Sequence, residues 1–554
     1  MVSFDLKTKE YKRLWADELA TMPCHPFPES DNTVLVAYFA SAEIKCFKAL
    51  GWNWQGQILD LYTEFRVHTN GLYLPKGKSL LGAMQFFRLE TIEAQHKDAM
   101  RDIALRGTPF SLQERSGLLE YCQSDVDALD RLLEAMKKHI DLPRALLRGM
   151  YTEPLAAMED LGSPIDYETF QELSNNWEAI KVRLIDKIDQ DYGVYENGTF
   201  KESLFRQYLA NEKIRWPHLA SGKLKLDEDT FKLMANIHPQ IRPLRMLRDS
   251  LSKLRLNSLQ VGADGRNRCL LSPFASITGR NQPSTTKFVF GLARWARGLI
   301  QPKPGMAIAY IDWSQQEFGI AAALSGDKNM MEAYRSGDPY LTFAKQAGAV
   351  PSDATKHSHP HERDQYKQCV LATQYGMEAP SLAARLKQPK LAAVQLLTKY
   401  RQVYKQFWDW SENLYNHSIS SNRIHTILGW RLNVQKDLNP RSLKNFPMQA
   451  TAAEMLRIAC IRMRLAGINL CAPVHDAVLI EASEDQIENA IKVAQECMVQ
   501  ASQDVLHGFA LTSEADIFTY PRRFLDEGSQ PFWDEVMAIL SEVKKVPAKV
   551  NTPC

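Results

Sequence analysis

At 554 residues the chain is several times longer than an ordinary domain, which predicts about two to four folding units. A hydrophobic fraction of 45% and a charged fraction of 24% are those of a globular protein, and no run reaches the roughly 18 uninterrupted apolar residues of a membrane span. The net charge of +2 conceals a basic stretch, because residues 241–300 hold eleven Lys or Arg against two Asp. That surplus reads equally as a phosphate-neutralising patch or as a solvated face.

The amino terminus, MVSFDLKTKEYKRLW, is charged through its first turns and lacks the apolar core of a secretory signal, so a cytoplasmic location is expected. Nine cysteines run from Cys24 to Cys554 with no CxxC pair, the pattern of reduced thiols rather than of a disulfide framework or zinc site. No fixed-period repeat or low-complexity tract is present. The apolar runs VLVAYFA and ILDLY (within 34–62) flank a helical AEIKCFKALGW, and Leu118 to His139 is helical in period, an α/β beginning. Residues 145–260 read as almost wholly helical. There IRPLRMLRDSLSKLRLN places Leu244, Leu247, Leu251 and Leu254 on one face and Arg or Lys on the other.

PGMAIAYID is an apolar run opened by Pro304-Gly305, right for a buried strand and ending at Asp312. Residues 314–436 return to helical patterns, and INLCAPVHDAVLIEA reads as two apolar strands joined by a tight turn at His475-Asp476. A lone strand-end Asp commonly forms a turn or caps a helix. Two of them, Asp312 and Asp476, can instead hold a pair of divalent ions about 3.5–4 Å apart, as in-line displacement at phosphorus requires. A helix predicted from about His361 to Tyr375 supplies their company. Its Arg363, Lys367, Leu371 and Tyr375 recur every four residues: two cations for phosphates, then an apolar side chain and a ring for base and sugar. Standing alone, such a helix would simply turn its cations to water. The HxHxH cluster of His357, His359 and His361 lacks Cys or carboxylate partners at structural spacing and contains Pro360, so it reads as a solvated loop.

These motifs, in this order, resemble those of the Klenow-like family A DNA polymerases. DWSQQEFGIAAALSGD (312–327) resembles the first palm motif, usually DYSQIELR followed by an SGD turn, and PVHDAVLIE (473–481) the second. RDQYKQCVLATQYG (363–376) resembles the fingers helix with its R-x3-K-x7-YG skeleton. SITGRNQPS (276–284) resembles the element that touches the primer-template minor groove, and NFPMQATAAEMLRIA (445–459) the helix beside the template. The resemblance spans about 150–525. It implies Asp312, Asp476 and Lys367 as catalytic residues, with two Mg²⁺, or Mn²⁺ in their place, held by the two aspartates and the Trp313 carbonyl. It implies a dNTP site of Arg363, Lys367, Leu371, Tyr375, Glu317, Gln315 and His475, and DNA contacts from Arg280, Arg297, Asn445 and Gln449. Glu317 matches the residue that crowds the sugar 2′ position and so admits deoxynucleotides.

This sequence departs from the family pattern at four places. Leu371 stands at the aromatic position of the fingers helix, Trp313 at the usual tyrosine, Gly319 where the first motif has Arg, and Ala477 where Glu follows the second aspartate. Both metal-binding aspartates are intact, so activity is expected.

Residues 1–146 resemble a shortened proofreading domain of the DEDD 3′→5′ exonuclease class. YCQSD sets Tyr121 and Asp125 at that class's Y-x3-D spacing, and FASAE offers Phe39 and Glu43 where N-x3-D is usual. The D-x-E of the first motif is not found, and the resemblance, closest to phage and prophage polymerases, puts it upstream of Met1. Weak or absent exonuclease activity is therefore expected. An ordinary helix surface is an equal reading of Tyr121 and Asp125, and Asp60 in LDLYTEFR is a strand-like but unsupported substitute.

The predicted architecture is an RNase H-like α/β unit over 1–146 followed by a right-hand polymerase over 147–554. Its helical thumb covers about 150–270, its fingers about 331–440, and its discontinuous palm about 271–330 and 440–530. The expected partners of this monomer are primer-template DNA and dNTPs, bound without sequence preference and with no membrane involved. Of the rival readings, Glu317 argues against a single-subunit RNA polymerase. Intact Asp312, Asp476 and Lys367 argue against a non-catalytic scaffold, and the missing first motif against a nuclease.

Overall fold

Val34–Ala37 pairs in parallel with Gln57–Asp60, and the helix Ser41–Ala49 forms the crossover between them. Asp60 closes the second strand by capping the helix Leu61–Thr69. Its carboxylate accepts hydrogen bonds from the N–H groups of Tyr62 (3.0 Å) and Phe39 (2.8 Å) and from the Thr63 hydroxyl (2.9 Å). The strand-like context of Asp60 thus leads to a helix cap. The helix Leu112–Met136 packs Ala128, Leu132 and Met136 onto Leu59, Leu61 and Phe65, and Ala37, Ile44, Phe47 and Ile58 form a second small core. The computed structural model describes residues 1–28, 30, 32–90, 94–253, 256–374, 377–435 and 438–545; Leu254 and Tyr375 lie outside the described residues.

Between 150 and 260 the chain is mainly helical, with Tyr167–Asp189 running beside Arg242–Lys253, and one small hairpin pairs Tyr195–Glu196 with Thr199–Phe200. Leu244 and Leu247 are buried and Leu251 packs at the core's edge. The opposite face is not simply solvated: the Arg248 guanidinium lies 4.0 Å from the Phe200 ring centroid and 4.5 Å from that of Phe231. The reason is that Phe200 and Phe231 come from the hairpin and a neighbouring helix, which helical periodicity does not reveal.

The main sheet has four antiparallel strands in the order Asn469–Val474, Ala477–Ser483, Met306–Trp313, Ser513–Thr519. Met306–Trp313 is central, which is why Ala307, Ile308, Ala309 and Ile311 are all fully buried. The long helix Pro440–Leu465 and the helix Ile487–Val505 pack together against this sheet. Among the described residues no helix is long and apolar enough to cross a membrane.

Candidate active site

Sheet register builds the centre of the site. Asp312 sits opposite Ala477 on one side and Glu514 on the other, so Asp476, one residue before Ala477 at the turn, comes alongside it. The two carboxylates repel. Burial first, and then Asp476, push the Asp312 carboxyl up to about 6, with Glu514 and Asp516 adding to the effect. Such a pair of oxygen donors, held together against its own charge, fits divalent cations, which prefer carboxylate oxygen. Among the described residues no group of three or more His, Cys, Asp or Glu forms a fuller metal cluster. Both connections that leave these strands are strained: Gln315 has φ +45° and His475 φ +57°, left-handed values uncommon for residues with a side chain.

Glu317 lies in the first turn of the helix Gln316–Ser325. Burial raises its pKa, Arg280 and a hydrogen bond with Gln449 lower it, and Asp476 raises it, so four separated motifs meet around one carboxylate. Glu317, Asn445, Gln449 and Thr373 line a cleft of about 610 Å³, and Arg280, Arg457 and His475 line a smaller one of about 220 Å³. Trp313 is buried, and its indole N–H has no hydrogen-bond partner among the described residues.

The helix that carries the four-residue stripe spans Pro360–Gln374. Arg363 donates from Nε to Asp338 at 2.5 Å, and Arg363 and Lys367 each stand 5.9 Å from the Tyr340 ring centroid. Leu371 continues the stripe half-buried. His357 and His359 lie in the turn before this helix, where His359 Nδ1 meets the Ser358 hydroxyl at 2.9 Å.

The Arg297 guanidinium lies 5.3 Å from the Phe290 ring centroid. Its charge reaches the site through Tyr310, whose phenol is pushed up by burial and by Asp312 and Asp476 and drawn down by Arg297.

A model of the DNA polymerase family A matches residues 274–513. The chain contains a family A DNA polymerase domain. It is 27% identical over 421 residues to the thermostable DNA polymerase I of Thermus thermophilus, covering 68% of this chain and 49% of that one. With DNA polymerase I of Aquifex aeolicus it is 23% identical over 384 residues, covering 66% and 65%. The chain thus spans about half the length of the Thermus protein. Among solved structures, the POL domain of Pol1 from M. smegmatis, in complex with DNA primer-template and dNTP, superposes with a TM-score of 0.66 at 18% identity. The match covers 91% of this chain and 86% of that one and shows the mixed α/β polymerase fold.

Outside the matched residues 274–513, the N-terminal part of the chain holds a partial acidic neighbourhood. Burial, with Asp60 adding, pushes Glu43 up to about 7, and one of its buried carboxylate oxygens has no hydrogen-bond partner among the described residues. Tyr121 is pushed up to about 12 by burial and by the adjoining Asp125, and the Cys122 thiol feels both Asp125 and Glu43. Asp60 is committed to its helix cap.

Several residues of the polymerase domain's site escape sequence reasoning. Asp338 reads only as a cap before Pro339, and Tyr340 and Tyr310 as ordinary core rings. Gln316 occupies the place of the isoleucine in DYSQIELR, yet it is buried and, among the described residues, both of its amide atoms are unpartnered.

Proposed function

We propose that this chain is a DNA-templated DNA polymerase that adds dNTPs to a primer 3′ end, acting as a monomer in the cytoplasm, in DNA replication or repair. The observation that carries the reading is the meeting of Asp312, Asp476, Glu317, Gln449 and Arg280, residues of four motifs, at the open end of one sheet. Asp312 and Asp476 would hold two Mg²⁺, or Mn²⁺ in their place, with the Trp313 carbonyl completing one site. Bound there, the ions would lower the barrier to attack of the 3′-hydroxyl on the α-phosphate and offset the charge of the pyrophosphate leaving group.

The chain's own residues do the rest. Arg363 and Lys367 bind the triphosphate, and Lys367 is placed to hand a proton to the departing pyrophosphate. Leu371 and Tyr375 cover the base and sugar, with Gln315 and His475 beside the nucleotide and primer end. Glu317 crowds the 2′ position and excludes ribonucleotides. Arg280, Asn445, Gln449 and Arg297 engage primer-template DNA through its backbone and groove shape, so binding should weaken steeply with salt. The N-terminal unit, with its incomplete set of carboxylates, contributes weak or no 3′→5′ exonuclease activity.

The test is extension of a labelled primer on a DNA template with Mg²⁺, comparing dNTPs with NTPs and the native chain with Asp312→Ala. Template-dependent growth with dNTPs alone, abolished by the substitution, is the expected result. Growth with NTPs would favour the RNA polymerase reading, tight binding without growth a scaffold, and primer shortening in the absence of dNTPs an active exonuclease.

A further inference from the structure

The loop Phe274–Arg280 has no regular secondary structure, so its backbone carbonyls need partners from elsewhere. They find four buried side chains. Arg66 donates from Nε to the Phe274 carbonyl at 2.6 Å and from Nη2 to that of Ala275. Asn70 donates to the Ile277 carbonyl at 2.7 Å, which also receives the Trp430 indole N–H at 2.8 Å. Arg457 donates to Gly279 at 2.8 Å. Two of these four donors, Arg66 and Asn70, come from the helix Leu61–Thr69 and its C-cap, more than 200 residues away in the N-terminal unit.

The seam around them is close-fitting. Arg66 is 5% exposed and Asn70 2%. Asn70 also donates to the Arg431 carbonyl at 2.8 Å, and a Cβ on Gly71 would stand 2.4 Å from the Asn433 carbonyl oxygen. The loop itself is strained: Phe274 has φ +56° and stacks on Trp430, and Gly279 has φ +76° with no room for a Cβ against the same indole. Strain of this kind persists only where the surroundings impose it, and half of the imposing donors lie outside the polymerase domain.

We propose that the N-terminal unit is a structural part of the duplex-binding surface: Arg66 and Asn70 are positioning residues that hold the 274–280 loop in the shape that presents Arg280. This rests on the reading of Arg280 as a DNA contact. It gives residues 1–146 a mechanical role in polymerisation that is independent of any nuclease chemistry.

The full-length chain tests it. Primer-template affinity and the single-turnover rate of dNTP addition are measured for wild type, Arg66→Ala, Arg66→Lys, Asn70→Ala, Arg280→Ala and Arg66→Ala/Arg280→Ala, together with hydrogen exchange over 274–280. Lys48→Ala, which removes a 3.4 Å ion pair with Glu153 and no bond to the loop, is the control. Loss of a buried hydrogen bond from a charged donor predicts roughly ten- to a hundredfold weaker binding for Arg66→Ala. Exchange in the loop should quicken while the saturating rate changes little. Arg66→Lys should recover part of the affinity, Lys48→Ala should bind as wild type, and adding Arg280→Ala to Arg66→Ala should weaken binding little further. Wild-type affinity and exchange in Arg66→Ala and Asn70→Ala would overturn the proposal, as would strictly additive losses with an unchanged loop. Exchange in wild type alone gives a test independent of variant folding: bound duplex should protect Leu61–Asn70 together with 274–280, and protection of neither overturns the proposal. If wild type binds no primer-template at all, it is the polymerase reading that fails.

Discussion

Gly319 lies against the ring of Tyr334 so closely that a Cβ there would stand 2.8 Å from its Cε2, and 2.5 Å from Leu511 Cδ2. The space is occupied for a reason. The Tyr334 hydroxyl donates to the Ser314 carbonyl at 3.0 Å and accepts from the Thr512 N–H at 3.1 Å, tying the end of the Asp312 strand to the start of its neighbour. The departure from arginine at 319 therefore accompanies a tyrosine that braces the Asp312 strand. Gly319→Ala should destabilise the chain by about 1–3 kcal/mol through overpacking. Tyr334→Phe should lose about 1–2 kcal/mol through its two missing bonds. Denaturant melts of both variants check this, and wild-type stability in Gly319→Ala would show that the pocket yields.

Tyr340 is the shared floor beneath Arg363 and Lys367, 5.9 Å from each. A cation over a ring is worth about 0.5–1 kcal/mol at a partly exposed site, so Tyr340→Leu should raise KM for dNTP roughly two- to fivefold with kcat little changed. Tyr340→Phe keeps the ring and should behave as wild type. Steady-state primer extension at varied dNTP separates the two variants; equal KM values would remove Tyr340 from the nucleotide site.

Gln316 buries an amide with no partner among the described residues for either of its polar atoms, a placement that costs about 1–3 kcal/mol. Gln316→Leu should raise the melting temperature by about 2–4 °C and leave extension within about threefold of wild type. A lower melting temperature would mean that the amide has a role in the fold.

The chemistry at the sheet's end is legible in the sequence because its parts are local. An apolar run that stops at Asp312, a turn at His475-Asp476 and the stripe begun by Arg363, Lys367 and Leu371 each declare themselves within one element. What escapes is whatever depends on a partner distant in the chain. Arg248 reads as a surface cation until Phe200 and Phe231 are folded around it. The fourth strand, SEADIFT, has too little apolar character to stand out, and its place is set by pairing with Met306–Trp313. The Arg66 and Asn70 bonds end on backbone carbonyls, which every residue possesses, so no side-chain motif announces their acceptors.

His68 should make its contact with Arg431 sensitive to acid. Arg431 donates from Nη2 to His68 Nδ1 at 2.9 Å and to its carbonyl at 2.6 Å. Burial first, then Arg431 and His139, lower its pKa from 6.5 to about 4. A histidine depressed in this way contributes stability that is present above about 6.5 and is lost as pH falls towards 4, because the unfolded chain takes up the proton first. Melting between pH 7.5 and 4.5 should therefore show a steeper acid loss for wild type than for His68→Gln. Parallel curves would show that His68 titrates normally.

Asp312 should trade stability for function. Its carboxyl, pushed up to about 6 by burial and then by Asp476, is held charged at neutral pH against an unfavourable field. A raised carboxyl favours the folded chain below its own pKa and works against it above, so removing the charge should stabilise the protein at pH 7.5 when no divalent ion is present. Asp312→Asn should then melt about 1–3 °C higher than wild type in EDTA. Adding Mg²⁺ should raise the melting temperature of wild type by mass action and that of the variant much less, since one of the two carboxylates is gone. Primer extension by Asp312→Asn should fall by at least ~10³-fold. Melting in EDTA and in Mg²⁺, measured beside extension, separates the outcomes. A variant that melts lower in EDTA would mean the carboxylate is stabilised by a protein partner, and one that keeps its Mg²⁺ response would place the ion elsewhere.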